Sequence, residues 1–155
     1  MGRAIDSGGE THVKYQHFHY PREIDVKCKF CEAKAKLINK DVPNEIDHFI
    51  DVSNFRKVWE LLCKGCMKRI EYNWEETKDF PLLYVIKFKR DNIWAWNKKH
   101  LEYIISVLLN NEDKLSKWLY FRNYINKSWL LNSKSSSSKS KLEKVLVQMK
   151  ITDED

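Results

Sequence analysis

The sequence predicts an α+β protein with a small antiparallel sheet, a β-hairpin and two or three C-terminal helices. Two Cys-x-x-Cys steps, each flanked by alternating apolar and polar residues, indicate strands that turn at cysteines. A third alternating stretch with a polar turn indicates the hairpin, and apolar residues at helical spacing follow it. The chain has 155 residues, of which 43% are hydrophobic, so it is long enough to bury a core.

Four strands are expected around the cysteine pairs, two for each pair. Residues 23–28 and 33–37 flank the first pair, and residues 58–63 and 70–75 flank the second. The apolar sides of these strands are Ile24, Val26 and Cys28; Ala33, Ala35 and Leu37; Trp59, Leu61 and Cys63; and Ile70, Tyr72 and Trp74. Between the pairs, residues 39–57 contain Pro, Asn and Asp and indicate a long connection.

A hairpin and a helix are expected next. Residues 82–88 form one arm of the predicted hairpin, residues 90–92 its turn and residues 93–96 the returning arm. Asn97 is the predicted N-cap of the helix. The apolar residues of that helix are Leu101, Ile104, Ile105, Leu108 and Leu109, and the polar stretch 110–113 ends or bends it.

The C-terminal region carries two further apolar patterns and a serine-rich stretch. A second helix is predicted from Leu115, Trp118, Leu119, Arg122 and Ile125. Residues 133–140 predict a flexible linker, and Leu142, Val145, Leu146 and Met149 a short amphipathic tail helix. The chain is therefore divided into an N-terminal arm or added edge strand (1–22), a four-cysteine domain (23–80), a hairpin plus helical region (81–132), and a linker with tail helix (133–155).

The four cysteines have the spacing of a metal site. Cys28 and Cys31 form one pair, and Cys63 and Cys66 form another after 31 intervening residues. Two such turns supply four sulfurs in a tetrahedron, which zinc accepts, and four protein ligands leave no position open for water. We therefore expect a structural zinc ion. Four reduced, buried cysteines and a rubredoxin-type iron site are the alternatives.

Residues 23–76 resemble the zinc-ribbon fold, in which a strand, a cysteine knuckle and a strand occur twice. Glu32 and Met67 stand where ribbon knuckles usually carry Gly, whereas Gly65 lies inside the second knuckle. Residues 81–104 resemble a segment of small uncharacterised bacterial zinc-ribbon proteins. The matching residues are Trp94, Ala95, Trp96, Asn97, His100 and Leu101. This resemblance implies a fold and supplies no function.

A second resemblance is to HNH endonucleases, many of which flank a catalytic Asp-His with two Cys-x-x-Cys pairs. Asp47 and His48 lie between the pairs here. The resemblance implies that His48 is a general base beside a magnesium-type ion. Val58 occupies a position where the family carries Asn. Met67 occupies a position where it carries His or Asn. A nuclease or a degenerate relative that only binds is therefore an alternative.

The positive charge of the chain lies in its C-terminal half. Residues 1–80 carry 14 basic and 14 acidic side chains, whereas residues 81–155 carry 14 and 8, which gives the net charge of +6. The basic residues around the hairpin turn and the helix start are the predicted phosphate-contacting patch. This patch consists of Lys87, Lys89, Arg90, Lys98 and Lys99.

Other aromatic and histidine residues have two interpretations each. His12, His17 and His19 could bind a metal or belong to a solvated arm, and His100 could contact a phosphate or be buried against the hairpin. The tryptophans could stack on bases or build the core. The five considered for stacking are Trp74, Trp94, Trp96, Trp118 and Trp129.

From these patterns we expect a non-enzymatic, zinc-binding, cytoplasmic protein that binds nucleic acid through the basic patch. A protein–protein adaptor that uses the C-terminal helices and a nuclease centred on His48 are the alternatives. The longest apolar stretches are too short to cross a membrane, so no membrane association is expected.

Overall fold

A computed structural model of the chain describes residues 19–39, 49–51, 58–88, 91–112, 118, 122 and 125–152. These residues form an α+β fold. The strands are β1 (His19–Pro21), β2 (Glu23–Lys27), β3 (Lys34–Ile38), β4 (Phe49–Asp51), β5 (Val58–Cys63), β6 (Arg69–Asn73), β7 (Tyr84–Phe88) and β8 (Asp91–Ala95). The helices are α1 (Lys98–Leu108), α2 (Lys127–Asn132) and α3 (Ser136–Thr152), with a 3₁₀ helix at Glu75–Asp79.

The central sheet has four antiparallel strands in the order β2-β3-β5-β6. Its middle pair joins the two hairpins, with Ala35 opposite Cys63 and Leu37 opposite Leu61. Because neighbouring strands are antiparallel, β2 and β5 run in the same direction. Both cysteine turns therefore lie at the same end of the sheet, as two predicted strand–turn–strand units require.

Strand β6, the last strand of the central sheet, ends earlier than the alternating pattern predicted. Trp74 follows β6 and begins a 3₁₀ helix, so Trp74 and Glu75 are outside the strand. Reciprocal hydrogen bonds of the capping-box kind cause this ending: the Glu76 amide donates to Asn73 Oδ1 at 2.9 Å, and the Asn73 amide donates to Glu76 Oε1 at 3.0 Å.

The outer edge of β2 is covered by the segments that lead into and out of the hairpin. Val26 forms a bridge with Leu82, and the Lys27 amide donates to the Pro81 carbonyl at 2.9 Å. The Asp25 amide donates to the Trp96 carbonyl at 2.6 Å. Asp25 is consequently buried, although the alternating pattern placed it on the polar side of its strand.

The predicted hairpin is present, but its turn is tighter than expected. Asp91 pairs with Phe88 and Asn92 with Lys87, so two of the three residues predicted in the turn belong to β8. Residues 89–90 connect the strands and lie outside the described residues. The predicted helix also follows: Asn97 is its N-cap and accepts a hydrogen bond from the His100 amide at 3.0 Å.

Helix α1 ends at Leu108, just before the polar stretch predicted to end or bend it. Asn110 adopts a left-handed conformation, with φ of 60°. The Asn110 amide donates to the Val107 carbonyl, and the Asn111 amide donates to the Ser106 carbonyl. These are the two hydrogen bonds of a Schellman motif, which satisfies carbonyl groups that the helix leaves without partners.

The serine-rich stretch predicted to be a linker is helical. Helix α3 begins at Ser136, and the Ser135 hydroxyl accepts a hydrogen bond from the Ser138 amide at 3.2 Å. Leu142 and Met149 are buried in the core. Burial of this apolar side stabilises the helix and overrides the flexibility that serine composition predicts.

Helix α2 was not predicted from the sequence. Asn126 caps it by accepting from the Ser128 amide at 3.2 Å, and Trp129 is buried on its inner side. Most of the helix expected earlier, at 115–125, lies outside the described residues. Trp118 and Ile125 of that pattern are described, and both are buried.

One hydrophobic core extends from the four-stranded sheet to the C-terminal helices. All six tryptophans are buried in it, as the core interpretation predicted. The N-terminal strand β1 pairs with β4 in a separate two-stranded sheet, and the Trp59 indole donates to the Pro21 carbonyl at 3.3 Å. The division of the chain into four regions stays a prediction. Among the described helices, none is both long enough and apolar enough to cross a membrane.

Candidate metal centre

The four cysteines converge at one end of the sheet. Cys28 directly follows β2 and Cys63 is the last residue of β5, so each sits where a strand enters its turn. The Sγ atoms of Cys28 and Cys66 are 3.8 Å apart, and those of Cys31 and Cys63 are 3.5 Å apart. All four Sγ atoms lie within 4.8 Å of one another.

Backbone hydrogen bonds shape the two turns, which we call the first knuckle (28–31) and the second knuckle (63–66). In the first knuckle, the Phe30 amide donates to Cys28 Sγ at 3.4 Å, and the Cys28 amide donates to the Ala33 carbonyl at 2.8 Å. In the second, the Cys63 amide donates to the Lys68 carbonyl at 3.3 Å. Of these donors, the Phe30 amide reaches a sulfur atom and stabilises negative charge on Cys28.

Glu32 and Met67 stand at the two positions where ribbon knuckles usually carry glycine. They have φ values of 65° and 61°, so both adopt the left-handed conformation that glycine usually supplies at these positions. Each knuckle therefore makes the same backbone turn without its glycine. A non-glycine residue in this region costs about 1–2 kcal/mol.

Gly65 is required for a different reason, which is the close approach of the two knuckles. A Cβ atom at residue 65 would lie 2.8 Å from the Cβ of Ala33, 3.0 Å from Cys31 Sγ and 3.6 Å from Cys63 Sγ. Two carbon atoms in ordinary van der Waals contact are separated by about 3.5 Å or more. Only a residue without a side chain lets the second knuckle pack this closely against the first.

The thiols of the cluster differ in their affinity for protons. The backbone N–H of Cys66 favours the Cys63 thiolate, and with the thiol of Cys31 it lowers the pKa of Cys63 to about 7. The backbone N–H of Ala33 also favours the Cys31 thiolate. Hydrogen bonds among the thiols and burial outweigh it, and the pKa of Cys31 is raised to about 12. Cysteine binds a metal as the thiolate, so metal binding at this cluster would release protons.

The donor set fits a tetrahedral thiolate-binding metal. With metal–sulfur distances of about 2.3 Å, a tetrahedron has edges of about 3.8 Å. The two distances of 3.5 and 3.8 Å lie close to that value. Four sulfurs would complete the coordination shell, so this centre can organise the fold but offers no position for a reacting water.

The predicted phosphate-contacting residues are partly described. Lys87 and Lys99 are exposed, and Lys98 is half-buried, with its Nζ donating to the Met149 carbonyl at 2.6 Å. Lys89 and Arg90 lie outside the described residues. Sequence reasoning missed Lys141, whose Nζ donates to the Lys87 carbonyl. The serine-linker prediction hid this contact, because a helix that follows a flexible linker has no fixed position relative to the hairpin.

His100 and the tryptophans belong to the core. His100 is fully buried and stacks between Trp96 and Trp118, with ring centroids 4.9 and 4.7 Å away. Its Nδ1 accepts a hydrogen bond from the Trp96 amide at 3.0 Å. The five tryptophans considered for base stacking are likewise buried. Buried rings cannot stack on a base at the surface.

The remaining candidates fall outside the described residues. Asp47 and His48, the pair that resembles an HNH centre, are not described, and neither are His12 and His17. His19 is described only as part of strand β1. The nuclease and histidine-metal hypotheses stay predictions.

A mixed-charge cleft lies between β2, β3 and the start of α1. It is lined by Glu23, Asp25, Lys36, Asn97, Lys98, Lys99 and Glu102. Burial raises the pKa of the Asp25 carboxyl, although the nearby Lys36 ammonium opposes the rise. Lys36 Nζ lies 3.2 Å from carboxylate oxygens of both Glu23 and Asp25. Lys36 therefore forms an ion pair with each of these two carboxylates.

Comparison with family models, curated proteins and solved structures found no match to this chain.

Proposed function

We propose that this protein is a non-enzymatic zinc-binding protein with a zinc-ribbon fold that binds nucleic acid. Cys28, Cys31, Cys63 and Cys66 would hold one structural zinc ion. The observation that carries the metal site is the convergence of four sulfurs, all within 4.8 Å of one another, from turns 31 residues apart in sequence.

The metal would stabilise much of the chain because the sheet and helices share one core. Structural zinc contributes roughly 10–16 kcal/mol of apparent binding energy in zinc-finger peptides. Loss of the ion is therefore expected to unfold the sheet and to loosen the helices that pack on it.

Elemental analysis of the purified protein tests the metal. One zinc per chain is expected, lost in Cys66→Ser and retained in Met67→Ser, a matched change at an exposed neighbour. Iron in place of zinc would support the rubredoxin-type alternative. Freshly isolated, reduced protein without a transition metal would refute the metal centre.

A basic surface formed by the hairpin, the start of α1 and α3 supports nucleic-acid binding. Lys87, Lys98, Lys99 and Lys141 form this hairpin–helix face. Lys141 contacts the Lys87 backbone and Lys98 contacts the Met149 backbone. Residues 141 and 149 are eight residues apart on one helix, or about 12 Å. Cations spread along this length of helix can contact phosphates of one strand that are not adjacent.

Fluorescence anisotropy with labelled oligonucleotides tests this function. Affinity should fall with salt, and each lost phosphate contact should reduce the slope of log K against log salt by about 0.7–0.9. Lys99→Glu and Lys141→Glu should weaken binding, whereas Lys127→Glu, with the same change of net charge on α2, should not. Absence of binding at low salt would refute nucleic-acid binding as a function.

The two alternative functions stay predictions. In the adaptor hypothesis, α3 lays its apolar side into a partner, but Leu142 and Met149 already pack into the core of their own chain. In the nuclease hypothesis, His48 acts with a divalent cation. Plasmid cleavage that requires magnesium and disappears in His48→Ala would replace the non-enzymatic proposal.

A further inference from the structure

The tip of the first knuckle presents an exposed aromatic ring. Phe30 is 46% exposed. Among the aromatic side chains whose exposure the structure describes, it is the one that is exposed, since the others are buried or half-buried. The backbone of Phe30 is held at this tip, because its amide donates to Cys28 Sγ. A metal bound by Cys28 would fix the same backbone and so the point from which the ring extends.

Two lysine side chains flank this ring. Lys68 Nζ, from the chain after the second knuckle, lies 4.9 Å from the Phe30 ring centroid, and Lys29 Nζ lies 5.4 Å from it. Lys29 is further fixed by the rings of Tyr72 and Phe80, at 5.2 and 5.1 Å. Asp79 approaches Lys29 at 3.9 Å, so that one cation is partly neutralised. The ring and its cations thus form one group, contributed by the first knuckle and by the chain that follows the second.

Further lysines lie in or beside the two knuckles, and they form no ion pair with an acidic residue that the structure describes. Lys27 and Lys34 face each other across the last rung of β2 and β3 before the first knuckle, and both are exposed. Like charges directly opposite on a sheet are destabilising. Lys64 projects from the second knuckle and is also exposed. Within the described chain, none of Lys27, Lys34, Lys64 and Lys68 forms an ion pair.

We propose that this knuckle surface binds single-stranded nucleic acid. It consists of Phe30 with Lys27, Lys29, Lys34, Lys64 and Lys68. One base stacks on the Phe30 ring, and the lysines contact the phosphates on either side. An unpaired base offers its flat face to a protruding ring, whereas the bases of a duplex are stacked on each other. This inference rests on the proposed nucleic-acid function and assigns it a second site, distinct from the hairpin–helix face.

Binding of labelled 20-nucleotide oligo(dT) and oligo(U) by the zinc-loaded full chain tests the proposal. Phe30→Ala should weaken binding of the single strands by about 5- to 100-fold. Phe30→Trp should retain binding, and Phe30→Leu should lose it, because leucine keeps the apolar surface without a flat ring. The pair Lys64→Glu and Lys68→Glu should reduce the salt slope by about 1.4. Zinc content should be unchanged in every variant, which separates lost contact from lost fold.

Three outcomes would overturn the proposal. If single strands bind Phe30→Ala as tightly as the original protein, while Lys99→Glu and Lys141→Glu weaken that binding, the knuckle site is refuted and the hairpin–helix face stands. Polyglutamate that binds as tightly as oligo(dT), with the same dependence on Phe30, would point to an acidic protein partner. No binding of any oligonucleotide would refute this inference together with the proposed function.

Discussion

A single methyl group added at Gly65 tests how closely the two knuckles pack. In Gly65→Ala the new Cβ would lie 2.8 Å from the Ala33 Cβ and 3.0 Å from Cys31 Sγ. Relaxation to an ordinary carbon contact of about 3.5 Å or more requires the knuckles to separate by roughly 0.7 Å. Overpacking of this kind costs about 1–3 kcal/mol. We therefore expect zinc affinity to fall about 5- to 150-fold.

Competition between the protein and a chromophoric chelator measures this change directly. Lys64→Ala is the matched control, since it alters an exposed side chain of the same knuckle and should stay within a few tenths of a kcal/mol. Ala33→Gly removes the nearest contact atom, so combined with Gly65→Ala it should recover part of the lost affinity. A zinc affinity for Gly65→Ala within twofold of the original protein would refute the close approach of the knuckles.

Three more substitutions test features away from the sulfurs. Met67→Gly should leave the free energy of unfolding unchanged or raise it by up to about 1 kcal/mol, because glycine relieves a left-handed φ; urea midpoints measure this. Leu142→Ala should lower that free energy by about 2–5 kcal/mol through a core cavity, and calorimetry compares it with the exposed control Val147→Ala. The free energy of unfolding of Asp25→Asn, relative to that of the original protein, should increase as the pH rises above 3.8, the ordinary pKa of an aspartate. The folded state raises the pKa of Asp25, so it binds that proton more tightly than the unfolded state, and ionisation costs stability. Urea unfolding with saturating zinc between pH 4 and 7 measures the difference.

Each of these expectations has a contrary result. A loss of more than 1 kcal/mol in Met67→Gly would mean that the methionine side chain contributes contacts that its exposure does not suggest. Equal stabilities for Leu142→Ala and Val147→Ala would place Leu142 outside the core. A pH-independent difference for Asp25→Asn would show that Lys36 offsets the burial of the carboxyl completely.

The cysteine cluster could be predicted because its chemistry is local. Two residues between Cys28 and Cys31 bring both sulfurs to one turn, and the alternation around them sets the strands. The antiparallel order then brings the second pair to the same end. The prediction of Asn97 as a helix cap succeeded for the same reason, since one side chain satisfies a nearby amide.

Features that depend on distant parts of the chain could not be predicted. Asp25 is buried by the segment around Pro81 and by Trp96, which its own strand pattern does not contain. The serine run forms a helix because Leu142 and Met149, further along, are buried in the core. The exposure of Phe30 depends on how two knuckles meet. Local composition carries no information on any of these contacts.

The indole rings of the core form an unbroken series from the sheet to the C-terminal helices. Centroids are 5.0 Å apart for Trp59 and Trp74, 6.2 Å for Trp74 and Trp96, 5.8 Å for Trp96 and Trp94, and 6.2 Å for Trp94 and Trp129. Truncation after residue 80 would thus remove Trp96, the neighbour of Trp74, and expose apolar side chains of the sheet to water. The cysteine-containing half is consequently not expected to fold independently. Transfer of this metal site to another protein would require the hairpin and the helices as well.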